Sequence, residues 1–220
     1  MKRLPVYETF YTWQGEGCHM GKPAFFIRLF GCPVHCPWCD SAGTWHPDHI
    51  PGTVDKFTTE ELMLQTQACN PEIVVITGGE PCIHDLTELT KALQAAGFPV
   101  HLETAGCFPI RGDFDWVTLS PKVWKKPIPD CLKRANEFKI ILDQPDALTI
   151  WEDEISPYLR EKPIWLHPEW SKREDPQILC LINQAVKERR FPYRAGYQLH
   201  KLYGVDEEQS SVSLPSYTRP

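Results

Sequence analysis

The chain alternates short apolar runs with polar turns. The two strongest runs, residues 23–30 (PAFFIRLF) and 72–77 (EIVVIT), are apolar nearly throughout. A strand without a polar face is buried on both sides, as in the parallel sheets of α/β folds. Between these runs, Thr58-Thr59-Glu60-Glu61-Leu62 carries a helix start, with a hydroxyl cap and acidic residues in the first turn, and that helix ends near Asn70-Pro71. Residues 85–96 place Leu86, Leu89 and Leu93 on one helical face, with Gly97 at the C-terminal cap. Shorter strands are expected over 100–103, 116–119, 137–142, 164–167 and 197–200, with a helix over 177–189 between the last two.

Buried strands alternating with helices predict an α/β fold built on a mostly parallel sheet. In such folds ligands sit at the carboxyl ends of the strands, where the loops gather. Four polar motifs fall at such ends: a cysteine loop over 31–40, Thr77-Gly78-Gly79-Glu80-Pro81, Glu103-Thr104-Ala105-Gly106 and Ser120-Pro121-Lys122. They are therefore expected to converge on one pocket. The pattern predicts one domain over 1–205, followed by a polar Ser/Glu-rich tail over 206–220.

Composition narrows the function classes. A formal net charge of −6 carries no basic footprint for nucleic acid. No apolar run approaches membrane-spanning length, and Met1-Lys2-Arg3 leads directly into Leu4-Pro5-Val6 without a secretory pattern, so a cytoplasmic protein without a membrane segment is expected. Nine cysteines are many for such a chain, and their number is odd. In a reducing compartment, clustered cysteines point to metal or catalysis before disulfides. Cys32, Cys36 and Cys39 cluster; Cys18, Cys69, Cys82, Cys107, Cys131 and Cys180 stand singly, most of them expected to be small buried hydrophobes.

The cluster has C-x3-C-x2-C spacing in Gly31-Cys32-Pro33-Val34-His35-Cys36-Pro37-Trp38-Cys39-Asp40. A cuboidal iron–sulfur cluster takes four ligands, usually thiolates, so three from one loop leave one iron open. The competing reading is a Cys3His zinc site completed by His35 or His46. By itself, Gly78-Gly79 reads as a strand-ending turn, Gln14 to Gly17 as a polar turn, Arg28 as half of a salt bridge and His200 as a satisfied core histidine.

The cysteine loop after one strand and Gly78-Gly79-Glu80-Pro81 after the next resemble the two signatures of the radical S-adenosylmethionine (SAM) superfamily, in the same order. Phe10-Tyr11-Thr12-Trp13-Gln14-Gly15-Glu16-Gly17, Arg28 in Phe-Ile-Arg-Leu-Phe-Gly-Cys, the segment 75–85 (VITGGEPCIHD), Leu102-Glu103-Thr104 and Leu119-Ser120-Pro121-Lys122 resemble one family within it, the 7-carboxy-7-deazaguanine synthases. The resemblance runs from about Val6 to Tyr203. It implies a partial TIM-like barrel and conversion of 6-carboxy-5,6,7,8-tetrahydropterin to 7-carboxy-7-deazaguanine with loss of ammonia, in queuosine biosynthesis. It further implies a [4Fe–4S] cluster, SAM and Mg2+ as cofactors. The implied chemistry is hydrogen abstraction at C6 of the pterin by a radical derived from SAM, followed by ring contraction. An electron donor such as flavodoxin or ferredoxin and a homodimer are implied as partners.

By the same resemblance, Cys32, Cys36 and Cys39 hold the cluster and Ser41 supplies a hydroxyl to Mg2+. Trp38, Cys39, Asp40, Gly79, Glu80, Ser120, Pro121 and Lys122 contact SAM. Gln14, Glu16 and Glu103, with backbone at Trp13 and Gly15, pair with the aminopyrimidinone edge of the pterin, a role their donors and acceptors suit. Arg28 offers a bidentate fork to the substrate carboxylate, and Thr77 and His200 complete the pocket. Two departures stand out. The family often has Gln before the proline where this chain has His167-Pro168, so no SAM contact is carried over there. Some members end shortly after the histidine–lysine pair and use the terminal carboxylate; this chain runs on past Lys201 to Pro220. The runner-up reading is a radical SAM activase of a glycyl-radical enzyme, in which Gln14–Gly17 and Arg28 have no role. A non-catalytic zinc-binding module and an electron carrier are the readings from other classes.

Overall fold

The computed structural model describes residues 3–158 and 162–204, so the tail expected at 206–220 lies outside the described residues. One sheet of nine strands organises them. Strands β1 (Leu4–Trp13), β2 (Pro23–Leu29) and β3 (Asp55–Phe57) form an antiparallel start, in which β1 pairs with both of the others. Next to β2 come β4 (Ile73–Gly78), β5 (Val100–Thr104), β6 (Trp116–Leu119), β7 (Glu137–Leu142), β8 (Ile164–Pro168) and β9 (Tyr193–Ala195), all parallel. Helices α1 (Thr59–Cys69), α2 (Thr87–Ala95), α3 (Pro129–Arg134), α4 (Ala147–Ile155) and α5 (Pro176–Glu188) link them, and α6 (Leu199–Leu202) follows β9. This is the α/β, mostly parallel, partial barrel that was expected, open between β3 and β9.

The capping signal at the first helix is realised as a reciprocal box. Thr58 Oγ1 accepts from Glu61 N at 3.2 Å, and Glu61 Oε2 accepts from Thr58 N at 2.7 Å. The helix ends at Asn70, whose φ of 47° closes it in the left-handed region.

Strand periodicity sorts the side chains between two faces. Ile27 and Leu29, Val74 and Ile76, Val100 and Leu102, and Val117 point outward and pack with Leu62 of α1 and Leu89 and Leu93 of α2. Phe138, Ile140, Leu142, Ile164 and Leu166 pack with Trp151 and Ile155 of α4 and with Ile178 and Ile182 of α5. The alternate positions face the concave side and turn polar toward the carboxyl ends: Arg28, Thr77, Glu103, Thr118, Glu137, Lys139 and His167. The outer face supplies most of the hydrophobic stabilisation, roughly 2 kcal/mol for each fully buried aliphatic side chain, with a smaller cluster of Ala24, Phe26, Ile73 and Val75 at the alternate positions.

The segment after β1 crosses that concave face. Gln14 Nε2 donates to Glu103 Oε1 at 3.0 Å, Lys139 Nζ pairs with Glu16 Oε2 at 2.5 Å, and Cys18 N donates to Glu137 Oε2 at 2.9 Å. The His19 ring then packs at a tilt against His101, with centroids 4.4 Å apart. Residues 14–19 thus fill the interior of the partial barrel and tie β5 and β7 together.

Three sequence expectations are corrected. The strand expected at 197–200 is absent; β9 lies earlier, at Tyr193–Ala195, and residues Leu199–Leu202 form a helical turn. Gly196 continues the ladder by donating to Leu166 O, and Leu199 N turns away to donate to Gly15 O at 3.2 Å, which breaks the extended run. The strands β1 and β3 and the helices α3 and α4 were not anticipated. Of the six scattered cysteines only Cys82 and Cys131 are buried; Cys18, Cys69 and Cys107 are half-buried and Cys180 is exposed. No helix among the described residues is long and apolar enough to cross a membrane.

Candidate active site

The cysteine loop leaves β2 through Gly31 (φ 102°) and turns again at His35 (φ 56°), so its backbone curls and presents Cys32, Cys36 and Cys39 toward the carboxyl ends of the strands. All three are free and half-buried, and all three line one cavity of about 460 Å3. Among the described residues no other cysteine lines it. Burial raises the Cys32 thiol and pushes Cys36 up to about 11, so metal binding must displace protons from this loop.

The donor set fits a three-thiolate cluster site with one open position. The two histidines that zinc would need are otherwise engaged: His35 stacks on Trp45 at 4.4 Å, and His46 Nδ1 accepts from Asp48 N at 3.3 Å. Neither lines the cavity. Among the described residues no three His, Cys, Asp or Glu side chains are arranged to hold a single metal ion.

The glycines of the 77–81 motif are close-approach positions. A Cβ on Gly79 would collide with Gly31 O and lie 2.6 Å from Cys32 Cβ, and one on Gly78 would lie 2.6 Å from Leu29 O. The motif therefore packs its backbone directly against the cysteine loop. Glu80 is buried and its carboxylate accepts three hydrogen bonds: Oε1 from Cys82 N at 3.0 Å and Thr104 Oγ1 at 2.6 Å, and Oε2 from Ala105 N at 2.8 Å. It fixes the ends of β4 and β5 relative to each other while still lining the cavity.

Around the cavity, Gln14 Nε2 and Thr77 Oγ1 donate one bond each to the two oxygens of Glu103, at 3.0 and 3.1 Å. Gln14 Oε1 accepts from Glu16 N at 3.1 Å, which sets the amide orientation. Arg28 donates from Nε to Glu8 Oε1 and from Nη1 to Ser41 Oγ, both at 2.7 Å. Arg28 is thus a salt-bridged residue and a cavity wall at once. A Cβ on Gly15 would collide with the His200 ring, so that ring seats on bare backbone. Asp40 Oδ2 accepts from Gln198 Nε2 at 3.1 Å and Lys201 Nζ at 3.4 Å, tying the loop to the segment around α6.

On the SAM-expected side, Lys122 Nζ donates to Ser120 O and Oγ at 2.6 and 2.8 Å and lies 5.5 Å from the Trp38 ring centroid. Burial lowers its ammonium to about 8, with the neighbouring Cys36 opposing the shift. Between Glu16 and Lys139, burial disfavours both charges, but their mutual attraction outweighs it. The Glu16 carboxyl is held well below its ordinary value and the Lys139 ammonium well above.

Trp13, Gln14, Gly15, Glu16, Arg28, Thr77, Glu103 and His200 all line the cavity. So do Cys32, Cys36, Trp38, Cys39, Asp40, Ser41, Gly79, Glu80, Ser120 and Lys122; Pro121 alone of the expected residues does not. The sequence reading missed Glu8, Lys139, Trp170 and Gln198, which also line it. Lys139 was legible as a polar inward position in β7, where Glu137-Phe138-Lys139-Ile140 alternates.

The comparison with known proteins decides the family. The chain is 42% identical over 208 residues to a 7-carboxy-7-deazaguanine synthase of Synechocystis, covering 91% of this chain and 93% of the relative. The chain belongs to the 7-carboxy-7-deazaguanine synthase family. The 7-carboxy-7-deazaguanine synthase of Escherichia coli is 35% identical, with 92% of this chain and 99% of the relative aligned. The crystal structure of QueE from Escherichia coli superposes with a TM-score of 0.77 at 33% identity, covering 90% of this chain and 95% of that one. Within the synthase fold, residues 13–104 match the 4Fe-4S single cluster domain family, a span that includes all three loop cysteines.

Proposed function

We propose that this chain is a radical SAM lyase that converts 6-carboxy-5,6,7,8-tetrahydropterin to 7-carboxy-7-deazaguanine and ammonia, on the route to queuosine. The observation that carries the reading is the convergence on one cavity of the three loop cysteines, the Gly78–Pro81 backbone and the polar set Gln14, Arg28 and Glu103. An activase would have no use for that polar set, and a zinc module would have no use for the cavity. Product and ammonia together have the atoms of the substrate, so the reaction needs no net oxidant or reductant. Bound together, the cluster and SAM supply a carbon-centred radical able to take a hydrogen atom from C6 of the pterin.

The chain's own residues do the rest. Cys32, Cys36 and Cys39 hold the cluster. The backbone at Gly79 and Glu80 meets the methionine end of SAM, Trp38 and Cys39 lie along the adenine side, and Ser120 and Lys122 face the ribose or carboxylate, with Pro121 shaping that turn. Asp40 holds the loop against Lys201 and Gln198. Glu103 and Gln14, already in register through their own hydrogen bond, read the aminopyrimidinone edge with Glu16, Thr77 and the backbone of Trp13 and Gly15. Arg28 aims its fork at the substrate carboxylate, and His200 closes the pocket. Ser41 supplies one oxygen to Mg2+; so small a donor set suits an ion that keeps most of its waters and takes substrate oxygens.

The fold would act as a single domain over 1–205, as a homodimer in the cytoplasm, with its electron from a flavodoxin or ferredoxin. The test of the reaction class is anaerobic reconstitution followed by iron, sulfide and zinc analysis and reductive SAM cleavage. About four irons and four sulfides per chain, with 5′-deoxyadenosine formed on reduction, are expected. Stoichiometric zinc without iron would overturn the reading.

A further inference from the structure

Behind the main cavity lies a second, small chamber of about 10 Å3. The two share the residues Gln14, Glu16, Glu103 and Lys139 in their walls. Gly17, Thr118, Glu137, Trp165 and His167 complete the chamber's lining. Its volume is that of one water-sized particle.

His167 is the unexplained member. Its ring is fully buried, and neither ring nitrogen has a hydrogen-bond partner. A buried polar group without a partner loses its hydration and gains nothing in return, so the site calls for a small polar occupant. Burial lowers the ring to about 4, although Glu16 pulls the other way, so near neutrality the ring keeps one free lone pair. The ring cannot relieve itself by moving toward β9, because Gly196 packs so closely that a Cβ there would strike Nε2.

The charges say which occupant. Glu16, Glu103 and Glu137 bring three carboxylates to the chamber, against the one ammonium of Lys139. Lys139 is already committed to Glu16. Burial would raise the Glu137 carboxyl, but the donors Thr118 and Cys18 outweigh it and keep the group ionised. Glu137 accepts at 2.7 Å from Thr118 and at 2.9 and 2.8 Å from Cys18 N and Trp165 Nε1. A carboxylate has about four lone-pair sites, so acceptor capacity remains. Water would meet the His167 lone pair and leave the excess negative charge unbalanced. A small cation with several N–H donors would meet the ring's lone pair and balance the charge together.

We propose that the chamber is a holding site for ammonium, the leaving group of the ring contraction proposed above. The inference rests on that reading for the source of its ligand, but the site itself is built from His167 and the three carboxylates. Ammonium formed in the main cavity would have to pass only the shared wall of Gln14, Glu16, Glu103 and Lys139 to reach it. There it accepts no bonds and donates to His167, Glu137 and Glu103.

The test uses crystals of the full, cluster-reconstituted chain soaked in rubidium chloride, whose cation has the size of ammonium and scatters anomalously. One anomalous peak beside His167 is expected. It should fall at least several-fold when ammonium chloride competes, disappear in His167→Leu and persist in His167→Gln, which keeps an acceptor. No peak in the wild-type chain, a peak that ammonium leaves unchanged, or a peak that survives His167→Leu would each overturn the site. An enzyme that forms the deazaguanine yet shows no peak loses the chamber and keeps its reaction. A peak in an enzyme that leaves the pterin untouched keeps the cation site and removes the reaction as its source.

Discussion

Arg28 Nη1 donates to Ser41 Oγ across 2.7 Å, joining the residue proposed to grip the substrate carboxylate to the one proposed to meet the metal. Glu8 fixes the other side of the guanidinium through Nε, also at 2.7 Å. A Mg2+ ion held by the Ser41 oxygen would compete with Nη1 for that oxygen's lone pairs and would leave Nη1 available to the proposed substrate. On the proposed reading, metal and guanidinium would then act on the same carboxylate from adjacent positions.

Replacement of Ser41 by Ala removes the hydroxyl but leaves Arg28 anchored by Glu8. The Mg2+ concentration for half-maximal turnover is expected to rise roughly ten-fold or more, the loss of one metal ligand. Titrating turnover with Mg2+ in both forms measures it, and an unaltered midpoint would remove Ser41 from the metal site.

Glu103 receives one donor on each oxygen, from Gln14 and Thr77. Glu103→Gln puts an amide donor where an acceptor stood, against Gln14 or Thr77. Losing a hydrogen bond to a charged group of about 1.5–3 kcal/mol predicts a drop of roughly 10–100-fold in kcat/KM for the pterin. SAM cleavage without pterin should change little, since Glu103 is not among the residues proposed for SAM. Steady-state kinetics with and without pterin separate the two effects.

Acid should loosen the fold before it reaches the carboxylates. Burial pushes both His101 and His167 down to about 4, and a neighbouring His19 adds to the effect at His101. In the unfolded chain both take a proton near 6.5. Because their folded values are depressed, their stabilising effect is complete above about 6.5 and is lost progressively as pH falls from there toward about 4. Each contributes on the order of 3 kcal/mol to that loss. Urea unfolding of the cluster-free chain at pH 7.5 and at 5 is expected to show the decline, and His101→Gln should flatten it. Equal stability at both pH values would contradict the assignment.

The sheet was legible where burial was two-sided. Residues 23–30 and 72–77 had no polar face to confuse the reading, and both became central strands. The first strand was not read, although Val6, Tyr7, Thr9, Phe10, Tyr11 and Thr12 are all strand formers, because it is only half-buried and its polar positions mask the alternation. The segment 197–200 failed for a tertiary reason. Its local composition suits a strand, but the contact of Leu199 with Gly15 bends it into a turn. The candidate site was legible almost whole because its residues carry motif spacing. Lys139 carried none; its inward position in β7 was a local signal, and its pairing with Glu16 across 123 residues places it at the site.

The central claim is the substrate. Reconstituted enzyme with SAM, Mg2+ and a one-electron reductant, given 6-carboxy-5,6,7,8-tetrahydropterin under anaerobic conditions, should yield 7-carboxy-7-deazaguanine and ammonia in equal amounts by mass spectrometry and ammonia assay. Unchanged pterin beside plentiful 5′-deoxyadenosine would contradict it, and would leave a radical SAM enzyme whose substrate is something else.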